Sequence, residues 1–236
     1  MLGFGGIFIP GSQAEEAERV LEEFAKSRGF GEKEFSWKKC SANELERYEL
    51  FVEKFWRLNE AGIEIDFRAL VIDVQQNRLT RAPWSSTDEE GFYKFYHFFI
   101  TRSLEQIGSA APCIDLRVAI LKDQYPYRTE ILQKTVGGRL KEEFGDRTLI
   151  TEVIRGSPKM ARLHQLADVL LGAVTYRISK RDPQGKSRKR QLCEHVERQV
   201  GRRLDHDFYP GERPFNVWFF SSTGQARWGI GASGHA

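Results

Sequence analysis

The stretch 163–174, "LHQLADVLLGAV", decides how this chain is read, because it sets one acidic residue in an otherwise apolar helix. An ionised carboxylate against hydrocarbon is costly unless it is paired or bound to a cation. At helical spacing Leu163, Leu166, Ala167, Leu170, Leu171 and Val174 form the stripe that faces a core. Asp168 falls beside that stripe, on a flank shared with His164, Gly172 and Thr175. Gly172, one turn on, leaves room for something to approach the carboxylate. The plainer alternative is a partly exposed helical Asp paired with a neighbouring Arg, the commoner fate of such charges.

Working outward, the segments around this helix alternate between two periods. "TLITEVIRG" (148–156) predicts a strand before it, and "CIDLRVAILKD" (113–123) predicts a central strand, with Ile114, Leu116, Val118 and Ile120 on one face. A helix is expected over 128–144, bent near Gly137 and Gly138. Toward the N-terminus, 3–10 reads as a short buried strand stopped by Pro10-Gly11. A helix follows from Ala14 to near Gly29, striped by Ala17, Val20, Leu21 and Phe24. Ser41 with Glu44 forms a capping box for a second helix carrying Leu45, Tyr48, Val52 and Phe55. "IEIDFRALVIDV" (63–74) is a strand, and Thr87 with Glu90 caps a third helix striped by Phe92, Phe95, Tyr96, Phe99 and Leu104. Strands alternating with helices predict an α/β layer architecture.

After Tyr176 the composition changes. "SKRDPQGKSRKR" (179–190) is basic and polar, with a short amphipathic helix expected to about Leu204, one strand in "FNVWFF", and a Gly/Ser tail. The expected organisation is therefore one domain over 1–178 with a basic C-terminal extension over 179–236. The chain has 236 residues, 40% of them hydrophobic, including 17 Phe and 5 Trp, so a sizeable, partly aromatic core is available. A net charge of +3 is mildly basic and fits a local basic face. The three cysteines, Cys40, Cys113 and Cys193, form neither a disulfide framework nor a zinc spacing, which points to a reducing cytoplasm. No run approaches the roughly 18 apolar residues of a membrane span, and "MLGFGGIFIPG" does not read as a signal peptide.

Asp123 closes the strand "RVAILKD", and ligands of α/β sheets gather beyond the carboxyl ends of strands. An Asp after a strand and another on a packing helix could share Mg²⁺ or Mn²⁺, which suits phosphodiester hydrolysis. A turn role for Asp123 in "KDQYPY" is the plain alternative.

These residues also carry a resemblance. "HQLADVLLGAV" preceded by "RGSPK", with "AILKD" upstream, resembles the C-terminal signature of the domain-of-unknown-function 3800 family. "GGIFIP", "EFSWKK" and "FRALVIDV" fall in that family's order, so the similarity spans about 3–178. The resemblance implies a ribonuclease H-like fold, a mixed sheet flanked by helices. It also implies an acidic cluster to which Glu34 of "EFSWKK", Asp123 and Asp168 correspond, with Ser157 ahead of the helix. Family members usually open with an Asp-Glu-Ser strand ahead of the "GGIF" strand. Its absence here predicts either a truncated start or a degenerate copy, with an exposed sheet edge open to a second copy or a partner strand.

Other signals are weaker. Glu34 lies among Lys33, Lys38 and Lys39, and its bland reading is a solvated loop charge. Asp73 ends a strand as Asp123 does and stands in reserve. His164 is one turn before Asp168, where it could orient a substrate. Arg155, Lys159 and Arg162 lie near the presumed site and would offset anionic substrate charge. "DHD" at 205–207 has metal-type residues near a turn, while Lys180, Arg181, Lys186, Arg188, Lys189 and Arg190 could contact phosphates. "GFGGIF" has the wrong spacing for a dinucleotide fingerprint. The leading expectation is a Mg²⁺- or Mn²⁺-dependent nuclease-like hydrolase, with Asp123, Asp168 and Glu34 as metal ligands. The alternative is a non-catalytic nucleic-acid- or protein-binding module with a degenerate metal site, whose binding would be salt-sensitive and need no metal.

Overall fold

The computed structural model describes residues 2–72, 88–107, 114–121, 148–156, 161–179, 187–209 and 211–220, with helical positions also at 134, 137, 138, 141 and 142. In chain order the elements are β1 (Leu2–Phe8), α1 (Gly11–Ser27), α2 (Leu45–Glu60), β2 (Asp66–Ile72), α3 (Asp88–Ile107), β3 (Ile114–Leu121), β4 (Thr148–Gly156), α4 (Arg162–Ser179), α5 (Arg188–Val200) and β5 (Phe215–Phe220). Two 3-10 turns, Trp37–Lys39 and Ala42–Glu44, lead into α2. The alternation of strand and helix expected from sequence is present, and the class is α/β. The capping box expected of Ser41 and Glu44 does not form, since neither side chain bonds a backbone amide at the start of α2. Ser41 Oγ donates to Glu44 at 2.9 Å and closes the turn before the helix.

The strands lie in two ladders. β2 is the centre of a mixed three-stranded sheet, with β1 antiparallel on one side and β5 parallel on the other. β3 and β4 pair with each other in parallel. The strand "IDLRVAIL" was expected to be central, but the middle of the mixed sheet is β2, every residue of which is buried. Near-continuous apolar character is what a strand covered on both faces requires.

Those two covers explain the glycines of β1. Side chains alternate across a strand with period two, so Gly3 and Gly5 share one face and Phe4, Gly6 and Phe8 the other. On the first face lies α4. A Cβ on Gly3 would stand 2.9 Å from Thr175 Cγ2, and one on Gly5 would stand 3.0 Å from Leu171 Cδ1. On the second lies α3. Phe4 packs edge-on to Tyr96 at 6.0 Å, Phe8 meets Phe99 at 5.8 Å, and Gly6 faces Phe99 as well. "GFGGIF" is therefore a packing device that lets a helix settle close to a strand.

The described part of the segment read as an extension, 187–209 and 211–220, is built into the same core. β5 pairs Phe67 with Phe215 and Leu70 with Trp218. Leu192, Cys193, Val196, Leu204, Phe208, Phe215 and Val217 join the apolar cluster of α1, α2, α4 and β2. Burial demands this arrangement, because "FNVWFF" and the apolar stripe of α5 have no other cover. The α1–α2 side of the core is an aromatic stack. Phe35 lies 4.1 Å from Phe51 and 4.2 Å from Phe30 between ring centres, nearly coplanar with each, and Tyr48 meets it edge-on at 5.1 Å.

Candidate functional site

Helix α4 begins where α1 supplies its missing acceptors. The first amides of a helix have no partner within it. Here Glu18 of α1 accepts from the amides of Arg162 and Leu163. Arg162, buried to 1% exposure, then spends its whole guanidinium on the protein. Nε donates to Glu22 at 2.6 Å, Nη1 to the Lys33 carbonyl and Gln165 Oε1, and Nη2 to the carbonyls of Phe30 and Gly31. An arginine has five N–H donors, and all five are used. Expected from sequence to meet substrate phosphate, Arg162 instead clamps the loop after α1 onto α4.

That clamp delivers the loop to Asp168. Gln165 Oε1 accepts from the amide of Phe35 at 3.0 Å. Tyr48 Oη accepts from the Ser36 amide and donates to the Ser36 carbonyl, at 3.1 and 3.0 Å. Burial pushes the Tyr48 phenol up to about 12, with the Ser36 contact acting in the opposite direction. Asp168 Oδ2 accepts from Ser36 Oγ at 2.9 Å and from the Trp37 amide at 2.8 Å. The carboxylate thereby satisfies the opening amide of the Trp37–Lys39 turn, as an N-cap would.

What approaches the carboxylate across Gly172 is Trp37. A Cβ at Gly172 would lie 2.2 Å from Trp37 Cγ and 2.3 Å from Cδ2, so only glycine admits the indole. On its far side the ring meets Tyr176 at 5.7 Å. Tyr176 Oη and Ser187 Oγ are 2.7 Å apart, and Ser187 Oγ accepts from the Arg190 amide at the start of α5. Lys189 then sets its ammonium 5.8 Å from the Trp37 ring centre. Two basic segments remote in sequence, 37–39 and 188–190, are drawn together around one indole.

Of the sequence candidates, Asp168 and Glu34 are brought to the same loop, the first held by uncharged donors and the second by a lysine. Glu34 pairs with Lys39 at 3.0 Å. Among the described residues no group of three His, Cys, Asp or Glu is placed to hold a metal. Asp123, Asp73, Ser157 and Lys159 lie outside the described residues. Arg155 is on β4, in register with Ile120 of β3. His164 is half-buried, one turn before Asp168. The "DHD" segment is structural. Asp207 accepts from the Phe219 amide at 2.8 Å, and Asp205 pairs with Arg203 at 2.6 Å and contacts His206 at 2.8 Å. Of the basic run, Arg188, Lys189 and Arg190 form the first turn of α5, while 180–186 lie outside the described residues.

Ser36, Trp37 and Gln165 were not singled out by sequence. The signal for Trp37 was an aromatic set between Ser36 and two lysines in a loop, which needs a seat elsewhere. Nor was the ion pair of the central strand, where buried Arg68 lies 3.8 Å from Asp66, itself bound by Arg213 Nε at 2.9 Å. Burial pushes the Cys40 thiol up to about 11 and the Cys193 thiol to about 12, so neither is a nucleophile near neutral pH. Among the described residues no helix is long and apolar enough to cross a membrane. Compared with known proteins, the chain matches no family model, no curated protein and no solved structure.

Proposed function

We propose that this protein is a non-catalytic nucleic-acid-binding module, working in a reducing cytoplasm. The observation that carries the reading is the employment of Asp168. Its Oδ2 holds Ser36 and Trp37, so the signature acid of the apolar helix locks a loop. The locked loop carries Lys38 and Lys39, and Lys189 at the start of α5 stands over its Trp37 ring. Arg188, Lys38 and Lys39 are exposed, and the half-buried Lys189 caps the indole. Such a surface neutralises phosphates without reading sequence and releases condensed counterions on binding.

The test is fluorescence anisotropy with labelled single-stranded RNA and duplex DNA, in EDTA and in Mg²⁺, across a salt series. Binding is expected in both metal conditions. On a log–log plot affinity falls linearly with salt, and each charge reversal among Lys38, Arg188 and Lys189 makes the slope shallower by about 0.9. Cleavage of the probe that requires Mg²⁺ and vanishes in Asp168→Asn would restore the hydrolase reading. Binding whose affinity ignores these three cations would remove the proposed surface.

A further inference from the structure

Helix α2 carries charges toward both of its neighbours, and Glu53 lies between the two sides. Glu49 and Glu53 approach His195 of α5, at 3.8 and 3.5 Å. Toward α1, Leu50, Lys54 and Arg57 line an open groove with Val20, Phe24 and Arg28. The floor is apolar, made by Phe24 with half-buried Val20 and Leu50. Over the Phe24 ring stand two cations, with Arg28 Cζ 5.9 Å and Lys54 Nζ 5.3 Å from its centre. Of the other rim charges, Glu53 approaches His195 and two are paired. Glu23 binds Arg19 at 2.6 Å and Arg57 binds Glu60 at 2.7 Å. Arg28 and Lys54 have no carboxylate within 4.0 Å among the described residues.

We infer that this groove docks an acidic segment of a partner protein, whose carboxylates meet Arg28 and Lys54 while an apolar side chain between them covers Phe24, Val20 and Leu50. Charge complementarity selects that occupant. Arg28 can grip a carboxylate with two parallel N–H bonds, and Lys54 supplies a point charge beside it. Holding both cations against the ring in advance lowers the ordering cost of binding. A nucleic-acid backbone fits less well. Its phosphates offer nothing to an aliphatic floor.

The test uses the full chain and a labelled peptide in which Glu alternates with Leu, followed by anisotropy at low and at moderate salt. A peptide of the same length alternating Lys with Leu serves as the control. The Glu/Leu peptide is expected to bind and the Lys/Leu peptide not. Arg28→Glu with Lys54→Glu is expected to weaken binding by about tenfold or more, equivalent to about 1.4 kcal/mol. Arg28→Gln with Lys54→Gln, which adds no repulsion, is expected to weaken it less, with an unchanged circular dichroism spectrum showing the fold intact. Equal affinity in parent and double variants overturns the inference, as does equal binding of both peptides. A labelled oligonucleotide that loses affinity in these variants while the Glu/Leu peptide fails to bind assigns the groove to nucleic acid instead.

Discussion

Gly172→Ala separates the role of Trp37 from ordinary helix behaviour, because the two predict opposite signs. In an unobstructed helix interior, Gly→Ala stabilises by about 1 kcal/mol. At Gly172 the new methyl would stand 2.2 Å from Trp37 Cγ and 2.6 Å from its Cβ, whereas carbon atoms in contact sit about 3.5–4.0 Å apart. The indole must retreat by more than about 1 Å, and the Trp37 amide leaves Asp168 with it. Overpacking costs about 1–3 kcal/mol and a hydrogen bond to a charged group contributes about 1.5–3 kcal/mol. Set against the propensity gain, the expected net destabilisation is about 2–4 kcal/mol. Urea unfolding followed by far-ultraviolet circular dichroism measures it. In a Trp37→Ala background the obstruction is gone, and the same substitution should stabilise by up to about 1 kcal/mol. A single variant as stable as the parent, or an equal cost in both backgrounds, would refute the seat assigned to Trp37.

Arg162→Met leaves Glu22, Gln165 and the carbonyls of Phe30, Gly31 and Lys33 without their donor, at an expected cost of about 3–5 kcal/mol. Arg162→Lys rescues little of it, since an ammonium has three donors and no planar fork; unchanged melting temperatures for either variant would refute the clamp. His195→Gln tests acid stability. Burial, with Arg198 acting the same way, holds the imidazole below its ordinary value of 6.5, while Glu49 and Glu53 oppose the shift. The fold therefore resists a proton that the unfolded chain accepts. Stability is complete above pH 6.5 and falls as pH drops from there through the lowered folded value. The variant should flatten that decline in urea midpoints measured against pH, and an identical slope would exclude His195 as its source.

The parts of the fold that were legible in sequence are those with local causes. Among the described residues, two periodicities placed the strands and helices to within a few residues, because β-branched runs and apolar stripes announce themselves within one element; the helix expected over 128–144 lies mostly outside the described residues. Pairing was not legible. Nothing near residue 215 says that β5 lies parallel to β2, since a long-range parallel ladder has no turn signature. The role of the β1 glycines was not legible because the helix that needs them, α4, begins at Arg162. At the candidate site the anomaly was readable and its resolution was not. Asp168 and Gly172 marked a place where something must approach, but a loop residue such as Trp37 has no periodicity by which to be found. Arg162 misled because sequence shows a charge, whereas only geometry shows that each of its donors is already spent.

The parallel seam between β2 and β5 has a consequence for how the chain is born. Phe67 waits for Phe215 and Ile72 for Phe220, so on the ribosome the middle strand emerges long before its neighbour is synthesised. Throughout that interval a largely apolar strand shows an unsatisfied rim to the cell. Nascent copies are then most vulnerable to sticking together or to capture by chaperones, and slowing translation between the codons of β2 and β5 should lower the soluble yield.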